Sequence, residues 1–322
     1  MTRTSRSSHP YAFDFFSVGQ VTLDTIVDHR GAHGLLPGGG ALYPALVATQ
    51  LGLCSAVYGK VGSDFPSRAL AKLRSTGLNT QAIRRMEGET GRITIDYSDG
   101  PEEKISIFPG LGYDLSTDEI PKGYRNSRVI HVSTAHQPFL ESFLESVRKQ
   151  DYPFISFAPK SDLKLESPET IARLFSKVDA VFCNEFELAL YSTADSTERR
   201  LVDIATKGPN LIVVTLGERG SLVYSNQEVH KIRAFRPGPV RSLCGAGDAY
   251  LAGFWCAYLR GCSLYDCGVF ASRVAVSVMR GYGLPLKRQI FERLSSDHFC
   301  REILAQPMVD ISLRVPRQVR SA

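Results

Sequence analysis

The chain has 322 residues, 43% of them hydrophobic and 22% charged, with a formal net charge of +5. That balance fits a globular protein and argues against a disordered, collagenous or membrane chain, since no apolar run approaches the roughly 18 residues of a spanning helix. Lys and Arg are dispersed among Asp and Glu, which speaks against nucleic-acid binding, and Arg314, Arg317 and Arg320 read as a solvated tail.

In chain order, the pattern predicts a strand at Phe13 to Val18, a helix at Ala41 to Leu51, a strand at Ser55 to Val61 and a helix at Pro66 to Ser75. Two strands follow, Arg92 to Tyr97 and Lys104 to Phe108. Their alternating character and the Asp99-Gly100 turn between them predict an antiparallel hairpin. Next come a strand at Val129 to Val132, a helix at Gln137 to Gln150, a strand at Phe154 to Phe157 and a helix at Glu169 to Phe175. The series continues with a strand at Ala180 to Cys183, helices at Glu185 to Ser192 and Thr197 to Lys207, and a strand at Leu211 to Thr215. Strand and helix in alternation imply an α/β body with a mostly parallel central sheet and helices on both faces. The hairpin breaks that rhythm and is expected to stand off as a small β lid, built from residues about 90–110 with help from 20–37. The body spans 13–305, followed by a tail at 306–322.

The segment Ser242 to Phe254, SLCGAGDAYLAGF, carries the chemistry. Leu251, Phe254, Trp255, Tyr258 and Leu259 recur at helical spacing, so a helix with a buried face is predicted to begin near Asp248. Gly245, Ala246 and Gly247 then lie at a helix N-terminus, where unpaired N–H groups and the helix dipole favour an anion. Asp248 has two readings: an N-cap, or a base that takes the proton of a hydroxyl attacking a phosphoryl group.

GAGDAYLAGF resembles the C-terminal signature of the ribokinase-like carbohydrate kinases, the PfkB family, whose GAGD turn is an anion hole and whose Asp is the catalytic base. Other segments resemble the family in the same order: Val18-Gly19 followed by Asp24, the run from Gly38 to Gly52, GKVGSDF (Gly59 to Phe65), Asn184-Glu185-Phe186-Glu187 as the NxxE motif, and VVTLGERG (Val213 to Gly220). The resemblance covers roughly residues 13–300. It implies a ribokinase-like three-layer fold and transfer of phosphate from ATP with Mg²⁺. Asp248 would be the base, Gly245, Ala246 and Gly247 the anion hole, and Asp24, Gly39, Gly40 and Tyr43 the acceptor site. Asn184, Glu187, Thr215, Gly217 and Gly220 would meet the nucleotide, with Glu187 reaching the metal through water.

The chain departs from the family pattern at three places. Ser242, Leu243 and Cys244 replace the usual residues before GAGD, which puts potassium activation in doubt. Tyr43 stands where an Asn often contacts a sugar hydroxyl, and the Gly-Gly-Gly-Ala-Leu-Tyr run looks closer to inositol-kinase-type members. Tyr43 either faces a ring substrate or packs on the first helix. Ala158 and Lys160, in FAPK, replace a frequent Asp and Asn, with Lys160 a compensating positive charge.

The leading expectation is therefore an ATP-dependent kinase for a hydroxyl of a small sugar or cyclic polyol. The alternatives are a nucleoside kinase and a non-catalytic pseudokinase that binds a metabolite or partner. No GxGxxG opens a helix after a first strand and no GxxxxGK[ST] occurs, which disfavours a dinucleotide-binding dehydrogenase and rules out a P-loop. Seven cysteines form no CxxC pair, so neither a disulfide framework nor a zinc site is expected. With no apolar signal region in its first residues, the chain reads as cytoplasmic. Expected partners are a small-molecule hydroxyl acceptor and a second copy paired through the lid, with neither nucleic acid nor membrane.

Overall fold

A computed structural model describes residues 11–98, 104–133, 135–148, 154–159, 167–236, 238, 240–285 and 289–311. The chain opens with β1 (Phe13–Val18), β2 (Thr22–Asp28), β3 (Gly31–Gly38), α1 (Leu42–Gln50), β4 (Ser55–Val61), α2 (Ser67–Ser75), β5 (Ile83–Arg85), β6 (Gly91–Asp96) and β7 (Lys104–Phe108). Short 3-10 turns lead to β8 (Ser127–Val132), α3 (Gln137–Arg148), β9 (Phe154–Phe157), α4 (Pro168–Phe175), β10 (Ala180–Asn184), α5 (Glu185–Tyr191) and α6 (Thr197–Thr206). Then come β11 (Leu211–Thr215), β12 (Ser221–Ser225), β13 (Glu228–Ile232), α7 (Ala246–Tyr258), α8 (Leu264–Val278), α9 (Gln289–Leu294) and α10 (His298–Ala305).

The nine-stranded sheet has the order β13-β12-β11-β10-β9-β8-β1-β4-β5. It is parallel from β11 to β5, and β12 and β13 extend it antiparallel at one edge. Both faces are covered, so strands such as β8 and β4 are buried at every residue, and β9 and β11 read as near-continuous apolar runs. One core packs the sheet against α1, α2 and α7 to α10, the other against α3 to α6. Alternation along β1 sends Phe15 to the first core and Phe16 and Val18 to the second. Helix α7 is buried from Ala249 to Tyr258, and Trp255 donates its indole N–H to Ser156 in β9 at 3.1 Å. A helix that is apolar all round belongs in an interior, which gives its N-terminus a fixed position.

The second sheet has four strands in the order β3-β2-β6-β7. β6 and β7 form the antiparallel hairpin read from their alternation, with Ile93 opposite Ile107 and Ile95 opposite Ile105. The Asp99-Gly100 turn, the end of the expected helix at Gln150 and Lys160 lie outside the described residues. β2 and β3 supply the other half of the small sheet, and β2 pairs in parallel with β6.

Candidate active site

The acceptor end begins on β2. Asp24 is only 6% exposed. Thr22, two residues earlier and on the same face, donates its hydroxyl to Asp24 Oδ1 at 2.6 Å, and the Gly39 N–H donates to the same carboxylate. Burial pushes the Asp24 carboxyl up to about 6, opposed by the Thr22 hydrogen bond, reinforced by the negative charge of Asp248 and opposed again by the Gly39 amide. Glycine is required at the end of β3, because a Cβ on Gly38 would collide with the Asp24 carboxylate. Gly39, with φ of +100°, and Gly40 then turn the chain into α1, and the Tyr43 N–H closes the turn on the Gly39 carbonyl at 3.0 Å.

The phosphate end is the start of α7. Gly245 is its N-cap, in the left-handed region with φ of +78°, and no side chain caps the helix. The helix therefore begins two residues before the position expected near Asp248, with Ala246, Gly247 and Asp248 as its first three residues. This corrects the capping reading: Asp248 is not the N-cap but stands in the first turn of the helix, where a carboxylate complements the dipole. Helix geometry gives the Gly247 N–H no intrahelical acceptor, and a Cβ at Gly247 would meet nothing within 4 Å. Open space therefore adjoins the amide end of the helix.

Tyr43 joins the two ends. It is 3% exposed, and its hydroxyl donates to the Gly283 carbonyl at 3.4 Å. A Cβ on Gly245 would fall on the Tyr43 ring, so the phosphate turn lies against the phenol. Burial raises the Tyr43 pKa well above its usual value, with further contributions from Cys244, Asp248 and Asp24. Electrostatics thus couples Asp24, Tyr43 and Asp248 to one another. The ring is covered and lies against Gly245, a residue far along the chain.

The residues expected to meet the nucleotide lie at the carboxyl ends of adjacent strands. Asn184 ends β10 and is in register with Thr215 at the end of β11. Asn184 and Glu187 form a capping box on α5: Asn184 Oδ1 accepts from the Glu187 N–H at 2.8 Å, and Glu187 Oε2 accepts from the Asn184 N–H at 2.9 Å. Gly217 has open space around its Cβ position, whereas a Cβ on Gly220 would strike the Ile232 carbonyl. Ser221, next to Gly220, hydrogen-bonds the Tyr250 hydroxyl at 2.7 Å and so ties this loop to the first turns of α7. Arg219 pairs with Glu185 across the same edge. Among the described residues no group of three or more His, Cys, Asp or Glu gathers as a metal cage.

Two parts of the site escape sequence reasoning. Thr22 left one signal, its i,i+2 relation to Asp24. The loop after α8 left none. There the Tyr282 hydroxyl donates to Asp28 of β2, the His33 and Tyr282 rings stack 4.0 Å apart, and Leu36 packs on Gly283. This seam holds the small sheet against the body beside Tyr43.

A helix N-terminus with a carboxylate in its first turn thus lies near the buried Asp24 carboxylate of the small sheet. The profile of the pfkB family carbohydrate kinases matches residues 17–285. The chain belongs to the PfkB family of carbohydrate kinases. A nucleoside kinase of Methanothermobacter thermautotrophicus is 32% identical over 254 residues, covering 77% of this chain and 80% of its own. A cytidine kinase of Thermococcus kodakarensis is 27% identical over 275 residues, covering 84% and 97%. Among solved structures, a Burkholderia thailandensis nucleoside kinase in complex with inosine superposes with a TM-score of 0.77 at 18% identity, over 91% of this chain and 100% of that one. This PfkB chain is thus a kinase with the ribokinase-like fold, and the family implies ATP and a small-molecule acceptor. No helix among the described residues is long and apolar enough to cross a membrane.

Proposed function

We propose that this PfkB protein transfers the γ-phosphoryl group of ATP to a hydroxyl of a nucleoside. The observation that carries the choice of acceptor is a row on the small sheet: Leu36, Asp24, Ile93 and Ile107 lie opposite one another on successive strands and so share one face. Ile26, Ile95 and Ile105 form a parallel row beside it. Ile105 and Ile107 are 56% and 49% exposed. A carboxylate continuous with an apolar strip suits an acceptor with hydroxyls at one end and a flat, poorly hydrated ring at the other, which describes a nucleoside better than a polyol that bears hydroxyls all round. The cyclic-polyol reading rested on the resemblance of the Gly38 to Tyr43 run to inositol-kinase-type members. The names of the two archaeal relatives support the same choice.

In this mechanism ATP supplies the phosphoryl group, and a magnesium ion bound with it offsets charge. The Gly245 and Gly247 amides hold the anionic oxygens, whereas the Ala246 N–H, expected to join them, donates to the Leu243 carbonyl at 3.1 Å. Asn184, Thr215, Gly217 and Gly220 would hold the nucleotide, and Glu187, whose carboxylate accepts from the Asn184 N–H, would serve the metal through water. Asp24, ionised, accepts hydrogen bonds from acceptor hydroxyls and orients one of them toward α7. Asp248 takes the proton from that hydroxyl as it attacks. The small sheet, latched at Tyr282, excludes water that would otherwise be the competing acceptor.

The test is ADP release measured against nucleosides, free pentoses, hexoses and inositols. Burying one face of a base against the isoleucine strip predicts a kcat/KM for the best nucleoside about a hundredfold above free ribose. Equal or better turnover of a free sugar or an inositol would overturn the choice of acceptor.

A further inference from the structure

Away from the site described above, α8, α9, the residue capping α10 and Phe235 line a half-open pocket of about 190 Å³. It shares no lining residue with the acceptor or phosphate ends. Three arginines line it, Arg273, Arg280 and Arg293, against a single carboxylate, Asp297. Arg273 is committed: its Nε donates to Asp297 Oδ2 at 3.0 Å, and its guanidinium lies over the Phe235 and Phe299 rings at 4.9 and 4.8 Å. Arg293 donates to the Ser277 carbonyl at the end of α8. Arg280 is exposed and, among the described residues, makes no ion pair. The two hydroxyls on the wall, Ser277 and Ser296, donate to the Val274 and Arg293 carbonyls at 2.7 and 2.8 Å. The remaining donor capacity of the cavity is therefore guanidinium N–H, with an excess of positive charge.

We propose that this cavity is a binding site for the phosphate group of a small metabolite. A guanidinium fork matches two oxygens of a phosphate at once, so Arg280 and Arg293 can clamp an oxyanion between them while Val276 and Leu294 form an apolar floor. The volume suits a phosphate or a small phosphate ester. Occupancy also reaches the active site through the backbone. The segment after β13 is fastened to α8 at both ends, by the Phe235 N–H to Ser272 Oγ at 2.9 Å and the Arg241 N–H to the Met279 carbonyl at 2.8 Å, and it runs on into Gly245. An anion that joins α8 to α9 stiffens the support from which the phosphate turn hangs.

The experiment titrates inorganic phosphate against the full chain at constant ionic strength, following the thermal midpoint. A non-hydrolysable ATP analogue and magnesium are present so that the α7 N-terminus is already covered. Wild type should show saturable stabilisation, Arg280→Ala should weaken phosphate affinity about tenfold or more, and Arg293→Lys, which keeps charge but loses the fork, should fall between them. Turnover without phosphate should be unchanged in Arg280→Ala. Equal phosphate affinity in wild type and Arg280→Ala, or displacement of phosphate by the nucleotide analogue, would overturn the site. Glycerol phosphate in place of phosphate separates the two sources: tighter binding marks an ester as the ligand, and weaker binding marks the free ion. Because the readout is binding without any acceptor, its failure is separate from failure of the nucleoside assignment.

Discussion

The start of α7 and the small sheet, the two sides of the proposed site, are built on opposite principles. Helix α7 is surrounded by core from its fourth residue onward and pinned by Trp255 and Tyr250, so its amide end has one position. The outer strand β7 is exposed at all five residues and carries isoleucines on its site-facing rows. The small sheet meets the body at the Tyr282 and Gly283 seam. In the proposed mechanism, chemistry that needs charge aimed in advance sits on the buried helix, and acceptor recognition sits on the exposed sheet.

The largest effect is expected from the rigid side. Asp248→Asn should lower turnover by on the order of 10²- to 10⁴-fold with nucleotide affinity largely kept, as read by single-turnover kinetics and nucleotide titration. Near-normal turnover would remove the base from the mechanism. Gly245→Ala tests the contact that joins the two ends, since its Cβ meets the Tyr43 ring and its φ is positive. A stability loss of about 2 kcal/mol by denaturant unfolding, with loss of phosphoryl transfer, is the expected outcome.

Asp24 behaves in the opposite sense. Its carboxyl is raised to about 6, so the folded state binds a proton more readily than the unfolded chain. Its ionisation therefore costs stability as pH rises through about 6, and the folded state is favoured as pH falls toward the unfolded value. Asp24→Asn should stabilise the protein by about 2 kcal/mol at pH near 8 and much less near pH 4, while acceptor KM rises sharply. In the wild type, kcat/KM should fall as pH drops below about 6, because protonated Asp24 no longer accepts the acceptor's hydrogen bonds. The smallest effect belongs to the exposed sheet. Ile107→Ser should leave stability within about 0.5 kcal/mol yet raise KM for a nucleoside several-fold and leave a free sugar unaffected, which steady-state kinetics will show.

The body was legible in the sequence because its strands are buried on both faces and read as apolar blocks: Phe13–Val18, Phe154–Phe157 and Leu211–Thr215 stand where the pattern placed them. The GAGD turn was legible because three small residues before a helical repeat have few structural purposes. The β12-β13 hairpin and α8 to α10 were not read, since β13 is half exposed and mixed in composition and α8 mingles Cys, Gly, Ser and Ala without a sharp stripe. The role of Tyr43 was also hidden. Its contact is with Gly245, a residue far along the chain, and only the packed structure brings a phenol beneath a left-handed glycine.

The account rests on a hydroxyl being deprotonated by Asp248 while Asp24 holds it. The most direct measurement is ³¹P NMR of the protein incubated with ATP, magnesium and a mixture of nucleosides, in wild type and in Asp248→Asn. A nucleoside monophosphate resonance that grows in the wild type and is absent over the same time in the variant is the result expected. Equal growth in both proteins, or no phosphomonoester in the wild type, would contradict it.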